Sequence, residues 1–128
     1  LRALYALRGI DISSASIADK ACQIEIERMG APIGKQDQYA AVFGGFNYMR
    51  FEADGSVLIQ PIVMTEEAKE KLSSRLRLFY TGITRKAGPI LSEQRKNIEN
   101  GKTFDNMVRM RNLANELAVE LERLLAIL

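Results

Sequence analysis

Histidine is missing from all 128 residues. Its absence removes Ser-His and Cys-His nucleophilic sites, imidazole general bases and His-containing zinc centres together, so any chemistry must run on carboxylates, amides, Lys, Arg or Tyr. A single cysteine, Cys22, excludes an internal disulfide or a cysteine cluster and fits a reducing, cytoplasmic setting. Its simplest role is that of a small buried hydrophobe. Long apolar runs are lacking as well: charged residues interrupt every stretch well short of the roughly 18 to 20 residues of a membrane span, so no crossing of a bilayer is expected. Nor does one sign of charge dominate, with 18 basic and 16 acidic residues and a net charge of +2, which gives no general attraction to nucleic acid. No stretch is rich enough in Pro, Gly or Ser to be a flexible linker. The 47% hydrophobic content is that of an ordinary globular chain.

Periodicity and turn chemistry organise what is present. Leu1, Leu4, Tyr5 and Arg8 follow helical spacing with no capping residue before them, the pattern of a helix tail, and point to a segment of a longer protein. Gly9 closes this helix, and Ser13 or Ser14 opens a second that runs to about Met29. A loop with Pro32 and Gly34 leads to a short helix over 37–43, ended by Gly44 and Gly45. Residues 46–51 and 57–64 read as strands joined across Asp54-Gly55. A helix from Glu66 to about Ser74, a third strand over 76–80, a loop to Arg85, a helix from Lys86 to about Asn100 and a last helix over 104–128 complete the chain. The class is α+β, helices packed on a small mainly antiparallel sheet.

Two carboxylates stand out. At about 100° per residue, Ile17, Ala18, Ala21, Cys22, Ile24 and Met29 share one broad arc of the second helix, and Glu25 falls in its middle while Asp19, Lys20, Gln23 and Glu27 fall opposite. A carboxylate directed at an apolar face costs several kcal/mol if it stays charged and unpaired, so it calls for a partner. A salt bridge, a helix-cap contact or a metal ion would each serve. Asp37 follows the Gly30–Gly34 corner, where the N–H groups of the next helix favour an ionised carboxylate; it either caps that helix or converges with Glu25 on a common site.

The run Gly30-Ala31-Pro32-Ile33-Gly34-Lys35-Gln36-Asp37-Gln38-Tyr39-Ala40-Ala41, followed by Gly44-Gly45-Phe46-Asn47, resembles the middle segment of the GHMP small-molecule kinases. Galactokinases carry a similar Pro-x-Gly-x-x-Asp-Gln, matched by Pro32, Gly34, Asp37 and Gln38. The branch acting on heptose 7-phosphates is also similar in Phe79-Tyr80-Thr81-Gly82-Ile83-Thr84-Arg85 and from Ile90-Leu91 to Gln94 and Asn97.

The resemblance implies a two-layer architecture, with residues 1–65 ending the N-terminal kinase domain and 66–128 starting the C-terminal one. It implies ATP and magnesium, and a sugar phosphate acceptor on the way to nucleotide sugars. Asp37 matches the family's catalytic Asp, which polarises or deprotonates the attacking hydroxyl. Glu25 matches the acidic residue seven positions before the motif Pro that helps hold magnesium. Gly34 and Gln38 of the matched motif are expected to bind substrate, as is Lys35, the second candidate after Arg85 for a cation facing the sugar's own phosphate. Arg85, within a stretch from Lys69 to Lys96 holding eight basic and two acidic residues, is the candidate seat for the sugar's own phosphate.

The family's Pro-x-x-x-Gly-Leu-Gly-Ser-Ser phosphate loop and its late Gly-rich motif do not occur in this chain, so the segment alone is expected to be inactive. A competing expectation comes from Met107, Met110, Ala114, Leu117, Leu121, Leu124 and Leu128, whose alternating steps of three and four form a heptad seam. The seam either packs on the chain's own sheet or pairs two copies through the C-terminal helix.

Overall fold

The computed structural model describes residues 1–84, 87–101 and 103–125. Two compact units divide the chain, Leu1–Pro61 and Ile62–Leu128.

In the first unit, helix α1 spans Arg2–Leu7. It ends on Gly9 at φ +65°, with Gly9 N–H donating to Ala6 O and Ile10 N–H to Tyr5 O, the paired bonds of a Schellman closure. Helix α2 spans Ser14–Cys22, and the Ser13 hydroxyl caps it by accepting from Ser16 N–H at 3.1 Å. The expected α-helix does not continue to Met29. Gln23–Arg28 form a π-helical turn, in which Met29 N–H reaches back five residues to Ile24 O.

The wider turn advances less per residue than an α-helix, and this changes which side chains face inward. Ile26 comes into line with Ala18 and Cys22 and packs against the core. Met29, expected on the apolar arc, stands at the C-cap of the π-turn and is 72% exposed.

Helix α3 (Gln36–Phe43) packs against α2, and the core forms between them from Ala18, Cys22 and Tyr39. Strands β1 (Asn47–Phe51) and β2 (Val57–Pro61) pair antiparallel in the register Met49↔Ile59 and Phe51↔Val57. Side chains of a strand alternate, so Met49, Val57 and Ile59 share the face that packs on the core. The Tyr39 ring meets Phe51 edge-on at 5.9 Å and stacks on Phe43 at 6.1 Å. Residues 52–56 close the hairpin: Gly55 N–H donates to Glu52 O, and Gly55 takes φ +86° at the left-handed position of a three-residue loop. The strand expected to reach Met64 stops at Pro61, whose missing N–H cannot extend a ladder.

In the second unit, Thr65 caps α4 (Glu66–Arg75) by accepting from Ala68 N–H at 3.1 Å. Helix α5 spans Ala87–Glu99 and tolerates Pro89 because the first turn has no N–H partners to lose. Helix α6 spans Phe104–Leu125. The third strand expected over 76–80 is not there: these residues are irregular, and Leu78, Phe79 and Tyr80 are exposed. A strand exists only where a neighbouring edge completes its ladder, and among the described residues the sheet has the two strands of the hairpin alone. Of the α6 seam, Met110 and Leu117 are 63% and 58% exposed; Leu128 lies outside the described residues. Helices and a small antiparallel hairpin together make the α+β class expected. No described helix is long and apolar enough to cross a membrane.

Candidate active site

The site grows from the junction of α2, the π-turn and α3. Ala31 N–H donates to Glu25 O at 3.0 Å, tying the end of the π-turn to the loop that follows. Ile33 N–H then donates to Ala31 O at 2.9 Å, closing a three-residue turn around Pro32, whose ring fixes φ for such a bend. This corner returns the chain against α2, where Cys22 Sγ meets Lys35 O at 4.0 Å, and starts α3. Asp37 is therefore delivered to the first turn of α3.

Glu25, Asp37 and Gln38 line one open cavity of about 580 Å³, between apolar walls that include Ile17, Ala21 and Val42. Gln38 Nε2 donates to Glu25 Oε2 at 2.6 Å. The half-buried Glu25 thus has a neutral donor as its partner rather than the cation of a salt bridge, and its negative charge stays uncompensated among the described residues. Asp37 does not cap its helix: the cap position is Lys35, and no side chain accepts a bond there. Its exposed carboxylate has no hydrogen-bond or ion-pair partner among the described residues. Two carboxylates facing one cavity, one uncompensated and one unengaged, can hold a hard cation or accept a proton from a bound hydroxyl.

Gly34 and Lys35 are not brought to that cavity. They border a neighbouring hollow of about 310 Å³ with Phe51 and Gly55, and Lys35 Nζ donates to Gly55 O at 3.5 Å. Arg85 lies outside the described residues. One residue that periodicity does not single out, Arg2, lines the cavity beside the carboxylates, its Nη2 donating to Ser14 Oγ at 2.8 Å. Nothing in its local spacing points there, because the placement depends on how α1 meets α2.

Two further groups near the site are inert. Burial pushes the Cys22 thiol up, against the opposing pull of Lys35, so it is not a ready thiolate. The Tyr39 phenol is pushed far above the ordinary tyrosine range, first by burial and then by its hydrogen bond to Asp19, which makes it a fixed donor. No group of three His, Cys, Asp or Glu able to cage a metal occurs among the described residues.

No protein-family model and no solved structure matches the chain. It is 35% identical over 98 residues to the D-glycero-alpha-D-manno-heptose 7-phosphate kinase of Campylobacter jejuni subsp. jejuni serotype O:2. The match covers 77% of this chain and 29% of that kinase. The chain is thus related in sequence to a segment of a sugar-phosphate kinase, and spans less than a third of its length.

Proposed function

We propose that the gene product carrying this chain is an ATP-dependent sugar kinase that transfers the γ-phosphoryl group to a hydroxyl of a heptose 7-phosphate, for nucleotide-sugar synthesis. The observation that carries this reading is the meeting of Glu25 and Asp37 on one cavity, with Asp37 unengaged. The similarity to a heptose 7-phosphate kinase supports it.

Phosphoryl transfer asks a protein mainly for positioning and charge neutralisation, so two carboxylates suffice without histidine. Asp37 accepts a hydrogen bond from the acceptor hydroxyl, orients its oxygen toward the γ-phosphorus and takes up its proton as the new P–O bond forms and ADP departs. An anomeric hydroxyl is more acidic than an ordinary alcohol, which suits a carboxylate that faces water.

Magnesium fits the donor set. It prefers oxygen ligands, keeps several waters and is commonly held by one or two carboxylates plus substrate phosphates, so the lack of a three-residue cage among the described residues is no obstacle. Glu25 is the residue that would hold it, and the ion supplies charge neutralisation to the nucleotide phosphates. Lys35, whose ammonium meets only a backbone carbonyl among the described residues, and Arg85 are the proposed cations for the sugar's own phosphate.

The test is an ADP-release assay on the complete gene product with magnesium-ATP and either a heptose 7-phosphate or galactose. Turnover of the heptose phosphate that Asp37→Asn abolishes supports the reading. Preference for galactose moves it to another GHMP-type sugar kinase. No phosphate transfer to either sugar overturns it.

The exposed face of α6 favours a second reading, a helical pairing of two copies through Met110 and Leu117. Sedimentation of Leu117→Glu decides it: a dimer that persists unchanged excludes this face as its interface.

A further inference from the structure

Gln38 is 7% exposed, and its two amide atoms fare differently. Nε2 donates to Glu25 Oε2 at 2.6 Å, whereas Oε1 is buried with no hydrogen-bond partner among the described residues. Leaving a buried acceptor unmade costs on the order of 1 to 3 kcal/mol, and an unbranched apolar side chain of similar length would avoid that cost. The amide orientation is therefore not set by the helix around it. Turning the group over would point its oxygen at the Glu25 carboxylate, two acceptors facing each other, so Glu25 alone selects the orientation.

We infer that Gln38 is a positioning residue: it acts through Glu25, holding one carboxylate oxygen with its amide so that the other stays directed at a cation in the cavity. This goes beyond the substrate-contacting role implied for Gln38 by resemblance, and it rests on the kinase reading above. The chemistry is that of outer-shell partners, which orient a metal-binding carboxylate by hydrogen bonding to the oxygen the metal does not use. Gln38 and Glu25 lie thirteen positions apart, on α3 and on the π-turn, so the bond also pins the ligand-bearing turn to the helix that carries Asp37.

The experiment measures manganese–ADP affinity of the complete gene product by calorimetry, beside the melting temperature, for wild type, Gln38→Met, Glu25→Gln and the double variant. Gln38→Met removes an unpaired buried acceptor but also the amide that donates to Glu25, opposing effects of similar size, so it should melt close to the wild-type temperature, yet bind manganese–ADP about 10- to 100-fold more weakly. The double variant should bind no more weakly than Glu25→Gln alone, because Gln38 acts only through that carboxylate. Unchanged manganese–ADP affinity in Gln38→Met, in a protein that Glu25→Gln weakens, overturns the positioning role while leaving the kinase reading intact. Additive losses in the double variant overturn it too. An affinity that Glu25→Gln does not alter takes Glu25 out of the metal site and overturns the positioning role, while the kinase reading stands or falls by the ADP-release assay.

Discussion

The Tyr39 hydroxyl donates to Asp19 Oδ1 at 2.5 Å, joining α3 to α2 on the flank of the core away from the Glu25 cavity lining. The same tyrosine packs against Ala18 and Cys22 and carries the ring contacts to Phe43 and Phe51, so one side chain links both helices to the hairpin. Tyr39→Phe keeps the ring and removes the bond, and should cost about 1 to 2 kcal/mol in denaturant unfolding, since Asp19 is exposed and finds water instead.

A pH dependence follows from the same bond. The folded state holds the Tyr39 phenol protonated well above its ordinary value of 10.0, by burial first and the Asp19 hydrogen bond second. Its contribution to stability is fully present below the unfolded value and is lost as pH rises above it, because the unfolded chain releases a proton that the folded chain retains. Wild type should therefore lose stability from about pH 10 upward, and Tyr39→Phe should lose less over the same range. Equal alkaline slopes in the two proteins would show that the phenol titrates alike in both states.

Asp37→Asn separates chemistry from folding. Its carboxylate has no partner among the described residues, so the variant should melt within about 0.5 kcal/mol of wild type, as surface substitutions do. Transfer of phosphate by the complete gene product should fall on the order of a hundredfold or more. Near-normal turnover in Asp37→Asn refutes its role as the proton acceptor.

The corner that delivers Asp37 contains two glycines with different duties. Gly30 sits at φ +67°, which a side chain disfavours, and a methyl group there meets nothing within 4 Å. Gly30→Ala should cost about 1 to 2 kcal/mol through backbone strain alone. Gly34 lies outside that region of φ and also has open space around it, so Gly34→Ala should fold as well as wild type or slightly better. A loss of activity in Gly34→Ala without a loss of stability would mark close approach of a ligand to that backbone.

Much of this architecture is readable from residues that act locally. Ser13, Gly9, Gly44 and Asp54-Gly55 mark ends and turns because each satisfies nearby backbone groups, and the helices and hairpin begin and end close to them. Glu25 is legible because a carboxylate on an apolar arc violates the plain pattern, whereas Asp37 has the ordinary look of a helix-start carboxylate and is singled out by the resemblance of the Pro32–Gln38 run. What depends on distant partners is not legible. The run from Leu76 to Tyr80 has strand-forming side chains but no edge to pair with among the described residues. Arg2 reaches the cavity through the meeting of two helices, which no local spacing records.

The π-turn is the least legible feature and supports the sharpest test. Uniform α-helical phase keeps Met29 on the apolar arc and Ile26 beyond its margin, whereas in the structure Ile26 packs on the core and Met29 is 72% exposed. Ile26→Ala should then cost about 2 kcal/mol or more by opening space against Cys22 and its neighbours, while Met29→Ala stays within about 0.5 kcal/mol of wild type. The reverse order in denaturant unfolding would restore an unbroken α-helix. That result would also turn Glu25 further toward the core, away from the edge where it shares the cavity with Asp37, so this pair of stability measurements bears on the site without any assay of activity.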